Sequence, residues 1–201
     1  MQPWELNKII KDTKYKTVGK DLDYQIAVIE QRPCLLFQES TDDQDWKFNF
    51  DWLPIKYAGH KMHRGFVKAW ESGRDEILKD FIGLVSLYES KPLITGWSFG
   101  GAMSVIACED FYLRTGIKAD VITFGAPKVC ANKETAESIR EHADMFVQYA
   151  QPNDCVCLCP PVPGFRHVTK TTKVGDRFNL IKVFNPGVYH QEYDNKSIYK
   201  E

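Results

Sequence analysis

The chain has 201 residues, with 26 basic and 27 acidic side chains and a formal net charge of −1. That length suits a single domain over residues 1–201 with one sizeable core. The near-neutral balance leaves no electrostatic footprint for nucleic acid, and no apolar run approaches the length that spans a bilayer.

The first residues, Met1-Gln2-Pro3-Trp4-Glu5-Leu6, lack the basic start and apolar run of a signal peptide. A cytoplasmic location is therefore expected. The six cysteines, Cys34, Cys108, Cys130, Cys155, Cys157 and Cys159, are expected to be reduced thiols and not disulfides.

In chain order, Trp4, Leu6, Ile9 and Ile10 recur at helical spacing and predict a short amphipathic helix over 3–14. Residues 24–30 and 34–37 read as two strands joined by a turn at Gln31-Arg32-Pro33. From 38 to 63 the pattern has no steady period. Trp46, Phe48, Phe50 and Trp52 alternate with polar residues, as a half-buried strand or a flap over an apolar site would have it. A long helical pattern covers 65–89, bent at Gly73.

The next stretch organises the chain. Leu93-Ile94-Thr95 predicts a buried strand, Gly96-Trp97-Ser98-Phe99-Gly100 a turn, and 102–114 a helix ended by Gly116. G-x-S-x-G between a strand and a helix is the pattern of a nucleophile elbow. A sharp turn lifts the Ser98 hydroxyl clear of the sheet, and side chains at Gly96 and Gly100 would collide with neighbouring elements. The helix N-terminus points N–H groups and a positive dipole end at the site.

Beyond it, 121–124 reads as a strand, Asn132 caps a helix running to about His142, and 145–149 is a further strand. Residues 165–169 and 178–184 read as later strands, and Asn185-Pro186-Gly187 breaks the chain before Val188-Tyr189-His190. Strands alternating with helices predict an α/β fold with a mostly parallel sheet.

A serine nucleophile needs a base, and the base needs a carboxylate to orient it. Only His142, His167 and His190 follow Ser98. His142 falls in a helix between Glu141 and Asp144 and reads as a solvated surface residue; His167 falls in a strand pattern, as a core histidine or a neighbour of the site. His190 lies in a loop after a break and is favoured, with His167 left open. Among the acids, Asp154 stands just past a strand end, where open parallel sheets form sites, and is preferred to Asp144 and Asp176.

The chain resembles the class 3, fungal-type lipase family of α/β hydrolases over roughly residues 24–193. The resemblance is carried by Phe37-Gln38-Glu39-Ser40 with Asp45-Trp46, His63-Arg64-Gly65-Phe66, the elbow through Ala102, Thr123-Phe124-Gly125-Ala126-Pro127, Asn153-Asp154-Cys155-Val156 with Pro160-Pro161, and His190-Gln191-Glu192-Tyr193. It implies an ester hydrolase acting on lipids, at a lipid surface, with no cofactor or metal. It further implies Ser98 as nucleophile, Asp154 as acid and His190 as base, with the Phe99 and Ser40 N–H groups forming the oxyanion hole. It also puts a lid at about residues 41–57. Three features depart from the family's pattern. Gln38-Glu39 stands where Arg-Gly is usual, cysteines replace prolines after Asp154, and the chain is short.

Overall fold

Strands that are apolar at successive positions are buried on both faces of a sheet. β3 (Arg32–Phe37) and β6 (Leu93–Trp97) are of this kind, and they pair in parallel from Cys34–Leu93 to Phe37–Gly96. The computed structural model describes residues 1–19, 22–38, 51–179, 183 and 186–199. On one side of the central pair, β7 (Asp120–Phe124), β8 (Phe146–Ala150) and β9 (Thr172–Lys173) continue in parallel. On the other, β2 (Leu22–Ile29) and β1 (Lys16–Val18) run antiparallel. The sheet order is β1-β2-β3-β6-β7-β8-β9.

Helices α1 (Pro3–Asp12), α2 (Arg64–Glu71), α3 (Arg74–Val85), α4 (Phe99–Thr115), α5 (Lys133–His142) and the short α6 (Pro186–Tyr189) complete the architecture. Alternate strand residues point to opposite faces, and the core divides accordingly. Leu35, Phe37, Ile94 and Val121 pack with Trp70, Phe81, Met103 and Phe111 from α2, α3 and α4. Cys34, Leu36, Leu93, Trp97 and Phe124 pack with Leu6 and Ile10 of α1 and with Tyr193 and Ile198 near the C-terminus. Helix α4 is buried at every position from Phe99 to Phe111, and Gly116 ends it at φ 69°.

Several expectations are corrected. The pattern over 65–89 is two helices, because the chain leaves the helix at Ser72-Gly73, where Gly73 has φ −136° and ψ −5°. The turn between β2 and β3 falls at Glu30-Gln31, both at positive φ, and places Arg32 and Pro33 inside the strand. Residues 165–169 form no regular strand: Arg166 alone bridges to Cys130. The strand beside β8 is instead Thr172–Lys173, two exposed residues with no alternation to read. Residues 178 and 179 are not strand, and 180–182 with 184 lie outside the described residues.

The expected lid over 41–57 lies mostly outside the described residues. Its last four residues are β4 (Pro54–Tyr57), which pairs with β5 (His60–His63) across Ala58-Gly59 at φ 49° and 85°, as the tight turn of a hairpin requires. Just ahead of it, Asp51 is held by Arg64 at 2.6 Å. The Arg64 guanidinium holds the Asp51 carboxyl below the usual carboxylate range. All six cysteines are unbridged; Cys34, Cys108, Cys130 and Cys157 are buried, Cys155 and Cys159 half-buried.

Candidate active site

β6 ends at Trp97 and α4 begins at Phe99, which leaves Ser98 alone at the junction with φ 58° and ψ −125°. A side chain at positive φ is uncommon, and such strain persists only where surrounding contacts over-determine it. Those contacts are present. The Ser98 N–H donates to the Phe124 carbonyl of β7 at 2.9 Å, and the Ser98 carbonyl accepts from the Gly101 N–H at 2.9 Å. The expected role of the elbow glycines also has a geometric basis. A Cβ on Gly96 would lie 2.3 Å from the Gly100 carbonyl oxygen, and one on Gly100 would lie 2.3 Å from that of Gln38. The second contact sets the end of β3 directly against the first turn of α4.

Asp154 follows β8 and is fully buried, while His190 follows α6 and is 8% exposed. They meet through a 2.8 Å hydrogen bond in which His190 Nδ1–H donates to Asp154 Oδ2. This bond fixes the tautomer: Nε2 is the unprotonated nitrogen of the neutral ring. Nε2 is buried and has no hydrogen-bond partner among the described residues. The Asp154 carboxylate is otherwise saturated. Oδ1 accepts from the Val156 N–H at 2.9 Å, and Oδ2 accepts from the Tyr193 hydroxyl at 2.8 Å and the Cys157 thiol at 3.3 Å.

Sequence reasoning assigned no role to Tyr193, Trp97 or Lys11, and each holds this centre. Tyr193 takes the Gln151 N–H at 2.8 Å while donating to Asp154, and so ties the end of β8 to the acid. Burial, then Cys157 and Asp154, push its hydroxyl well above the ordinary range and keep it protonated. The Trp97 indole N–H donates to the His190 carbonyl at 3.0 Å. Lys11 of α1 stands 4.8 Å from the Trp97 ring centroid, pairs with Asp194 at 3.0 Å and donates to the Gln191 carbonyl. Tyr193 and Trp97 left a signal only as members of runs already noted.

The other two histidines lie elsewhere. His167 Nε2–H donates to the Cys157 carbonyl at 2.9 Å, so it braces the loop that carries Asp154. Burial depresses its pKa below the ordinary value and keeps it neutral. His142 is not a solvated surface residue. Its Nδ1 donates at 2.8 Å to Glu109, a fully buried carboxylate of α4 that also accepts from His60 at 2.6 Å. Burial pushes the Glu109 carboxyl up, but the two imidazole hydrogen bonds outweigh it and hold the group below its ordinary range.

Phe99, the expected oxyanion donor, is the first residue of α4 and is packed against Phe66 with ring centroids 5.9 Å apart. The other expected donor, Ser40, and its neighbour Glu39 lie outside the described residues. Among the described residues, no cluster of three or more His, Cys, Asp or Glu side chains is arranged to hold a metal.

Residues 34–164 match the family model for lipase (class 3). The chain belongs to the class 3 lipase family. It is 27% identical over 171 residues to a lipase from Rhizomucor miehei, an alignment covering 80% of this chain and 46% of that one. It is 31% identical over 119 residues to the secreted mono- and diacylglycerol lipase 1 of Fusarium solani, covering 56% of this chain and 34% of that one. The structure of the Rhizomucor miehei triacylglyceride lipase superposes with a TM-score of 0.72 at 22% identity, over 81% of this chain and 66% of that one. The α/β-hydrolase fold of this member of the class 3 lipase family is thereby shown. The chain spans about a third to a half of the length of these curated relatives.

One expectation is overturned by these relatives. The Fusarium solani protein is secreted by name, and the cytoplasmic assignment fails. It rested on the lack of a signal-peptide pattern in the first six residues, which does not say where a member of this family acts.

Proposed function

We propose that this chain is a carboxylic ester hydrolase acting on lipid esters through an acyl-enzyme, outside the cell. The observation that carries the reading is the 2.8 Å His190–Asp154 hydrogen bond with a bare Nε2, in a chain whose Ser98 sits strained at a strand-to-helix elbow. Ser98 attacks the acyl carbonyl, and His190 Nε2 takes the hydroxyl proton and delivers it to the departing alcohol. Asp154 stays ionised and stabilises the imidazolium. Water, deprotonated by His190, then attacks the acyl-enzyme and releases the carboxylic acid. The oxyanion is received by the Phe99 N–H at the start of α4 and by the Ser40 N–H. Among the described residues no helix is long and apolar enough to cross a membrane.

A fluorophosphonate tests the nucleophile. It should label Ser98 with one-to-one stoichiometry, and Ser98→Ala should lose both the label and ester hydrolysis. Labelling of another residue with Ser98 untouched would overturn the assignment. Hydrolysis of p-nitrophenyl esters of rising acyl length then assigns the substrate class.

A further inference from the structure

The Asp154 carboxylate carries one hydrogen bond beyond those that orient it, and its donor is a thiol. Cys157 Sγ lies 3.3 Å from Asp154 Oδ2 and 3.4 Å from the Tyr193 hydroxyl oxygen, in a position that is 4% exposed. The direction of the S–H follows from the donors around it. The Tyr193 oxygen already receives the Gln151 N–H and spends its own proton on Asp154. The carboxylate is the charged acceptor, and hydrogen bonds to ionised groups are the stronger ones. The thiol proton therefore points at Asp154. The local backbone fixes this placement: Val156–Leu158 form a 3-10 turn whose entry is tied by the Val156 N–H to Asp154 Oδ1.

We propose that Cys157 is a positioning residue of the triad, whose thiol donates to Asp154 and weakens the carboxylate's hold on the His190 imidazolium. The proposal rests on the triad reading above. Burial and one neighbour support the thiol's fitness for this task. Burial first, then the Asp154 charge, push Cys157 well above the ordinary thiol range, so the sulfur keeps its proton and stays a donor. The remaining groups around the pair are Tyr193 and Cys155 on the acid's side, with Lys11 and its partner Asp194 beyond Trp97 on the side of the histidine. A change at 157 also touches the 3.4 Å contact to the Tyr193 hydroxyl, so the effect of the donor is read from Cys157→Ala against Cys157→Ser, which keeps a hydroxyl there.

Removing the donor leaves a more basic carboxylate, which binds the protonated imidazole more tightly. In Cys157→Ala the acid limb of the kcat/KM profile should move to higher pH by roughly half a unit, with KM unchanged. Cys157→Ser, which restores an O–H donor, should return the limb to the wild-type position. A second readout needs no turnover. The Nδ1 proton resonance of His190, recorded by NMR, should move downfield in Cys157→Ala and return in Cys157→Ser. If folded Cys157→Ala leaves both limb and resonance in place, the thiol is packing only and the proposal falls. Should Cys157→Ala fail to fold, infrared difference spectra of wild type against Cys157→Ser decide. A red-shifted S–H stretch supports the bond, and a free-thiol frequency overturns it. If wild type hydrolyses no ester and Ser98 takes no label, the triad reading has failed, and the NMR comparison still judges Cys157.

Discussion

The same substitution, glycine to alanine, should act with opposite signs at two positions of this chain. At Gly100 the added Cβ would stand 2.3 Å and 2.4 Å from the carbonyl oxygens of Gln38 and Phe37. Both are backbone atoms, so neither can rotate away, and either β3 or the first turn of α4 must shift. Overpacking of this kind costs about 1–3 kcal/mol. For a chain of this size, each kcal/mol moves Tm by about 2–4 °C, giving a fall of about 2–12 °C. At Gly83, near the end of α3, nothing lies within 4 Å of the added Cβ. Alanine there gains about 0.5–1 kcal/mol of helix propensity and should raise Tm by about 1–4 °C. Differential scanning calorimetry reads both. Turnover on a soluble ester separates them further: a displacement near 1 Å at the elbow costs about 100-fold, whereas Gly83→Ala should leave rates unchanged. If Gly100→Ala melts with wild type and keeps its turnover within twofold, β3 and the elbow are not in the tight contact that places the site.

Three further outcomes are expected. His190→Ala should lower turnover by about 10²–10⁴-fold, while His167→Gln, which keeps a donor for the Cys157 carbonyl, should lower it far less. Because burial depresses His167 in the folded state, its contribution to stability is complete above the unfolded value near ~6.5 and is lost as pH falls from there toward the folded value. Urea titrations from pH 7 to 5 should therefore show a shallower stability loss in His167→Gln than in wild type. Lys11→Met keeps the apolar stem but removes the bonds to Asp194 and the Gln191 carbonyl. It should cost about 1 kcal/mol and lower turnover several-fold, measured by calorimetry and ester hydrolysis; full activity would show that α1 does not steady the histidine.

Where sequence and structure agree, one physical constraint dominates locally. Residues 93–97 are apolar and short, Gly96 and Gly100 permit close approach, and Gly116 stops the helix, so the elbow was readable residue by residue. Asn132 likewise caps α5 by accepting the Thr135 N–H at 3.0 Å. Disagreement arises where tertiary pairing decides. β9 has only two exposed residues and exists because β8 offers an edge. The polar surroundings of His142 suggested solvent, but a buried carboxylate eleven residues after Ser98, on another helix, claims it. Tyr193 was visible only as part of a run; its bond to Asp154 joins residues 39 positions apart, and no local pattern encodes such a distance.

The distribution of sulfur gives the protein a built-in site for spectroscopy. Four thiols are sealed in the interior, and the two half-buried ones, Cys155 and Cys159, both lie in the loop after Asp154. Burial raises both above the ordinary thiol range, so alkylation should be slow at neutral pH and favoured in mild alkali. A fluorophore coupled there would need no engineered cysteine, and it would sit within a few residues of the carboxylate that orients His190. Its emission would follow the arrival of substrate at the very loop on which the acid rides.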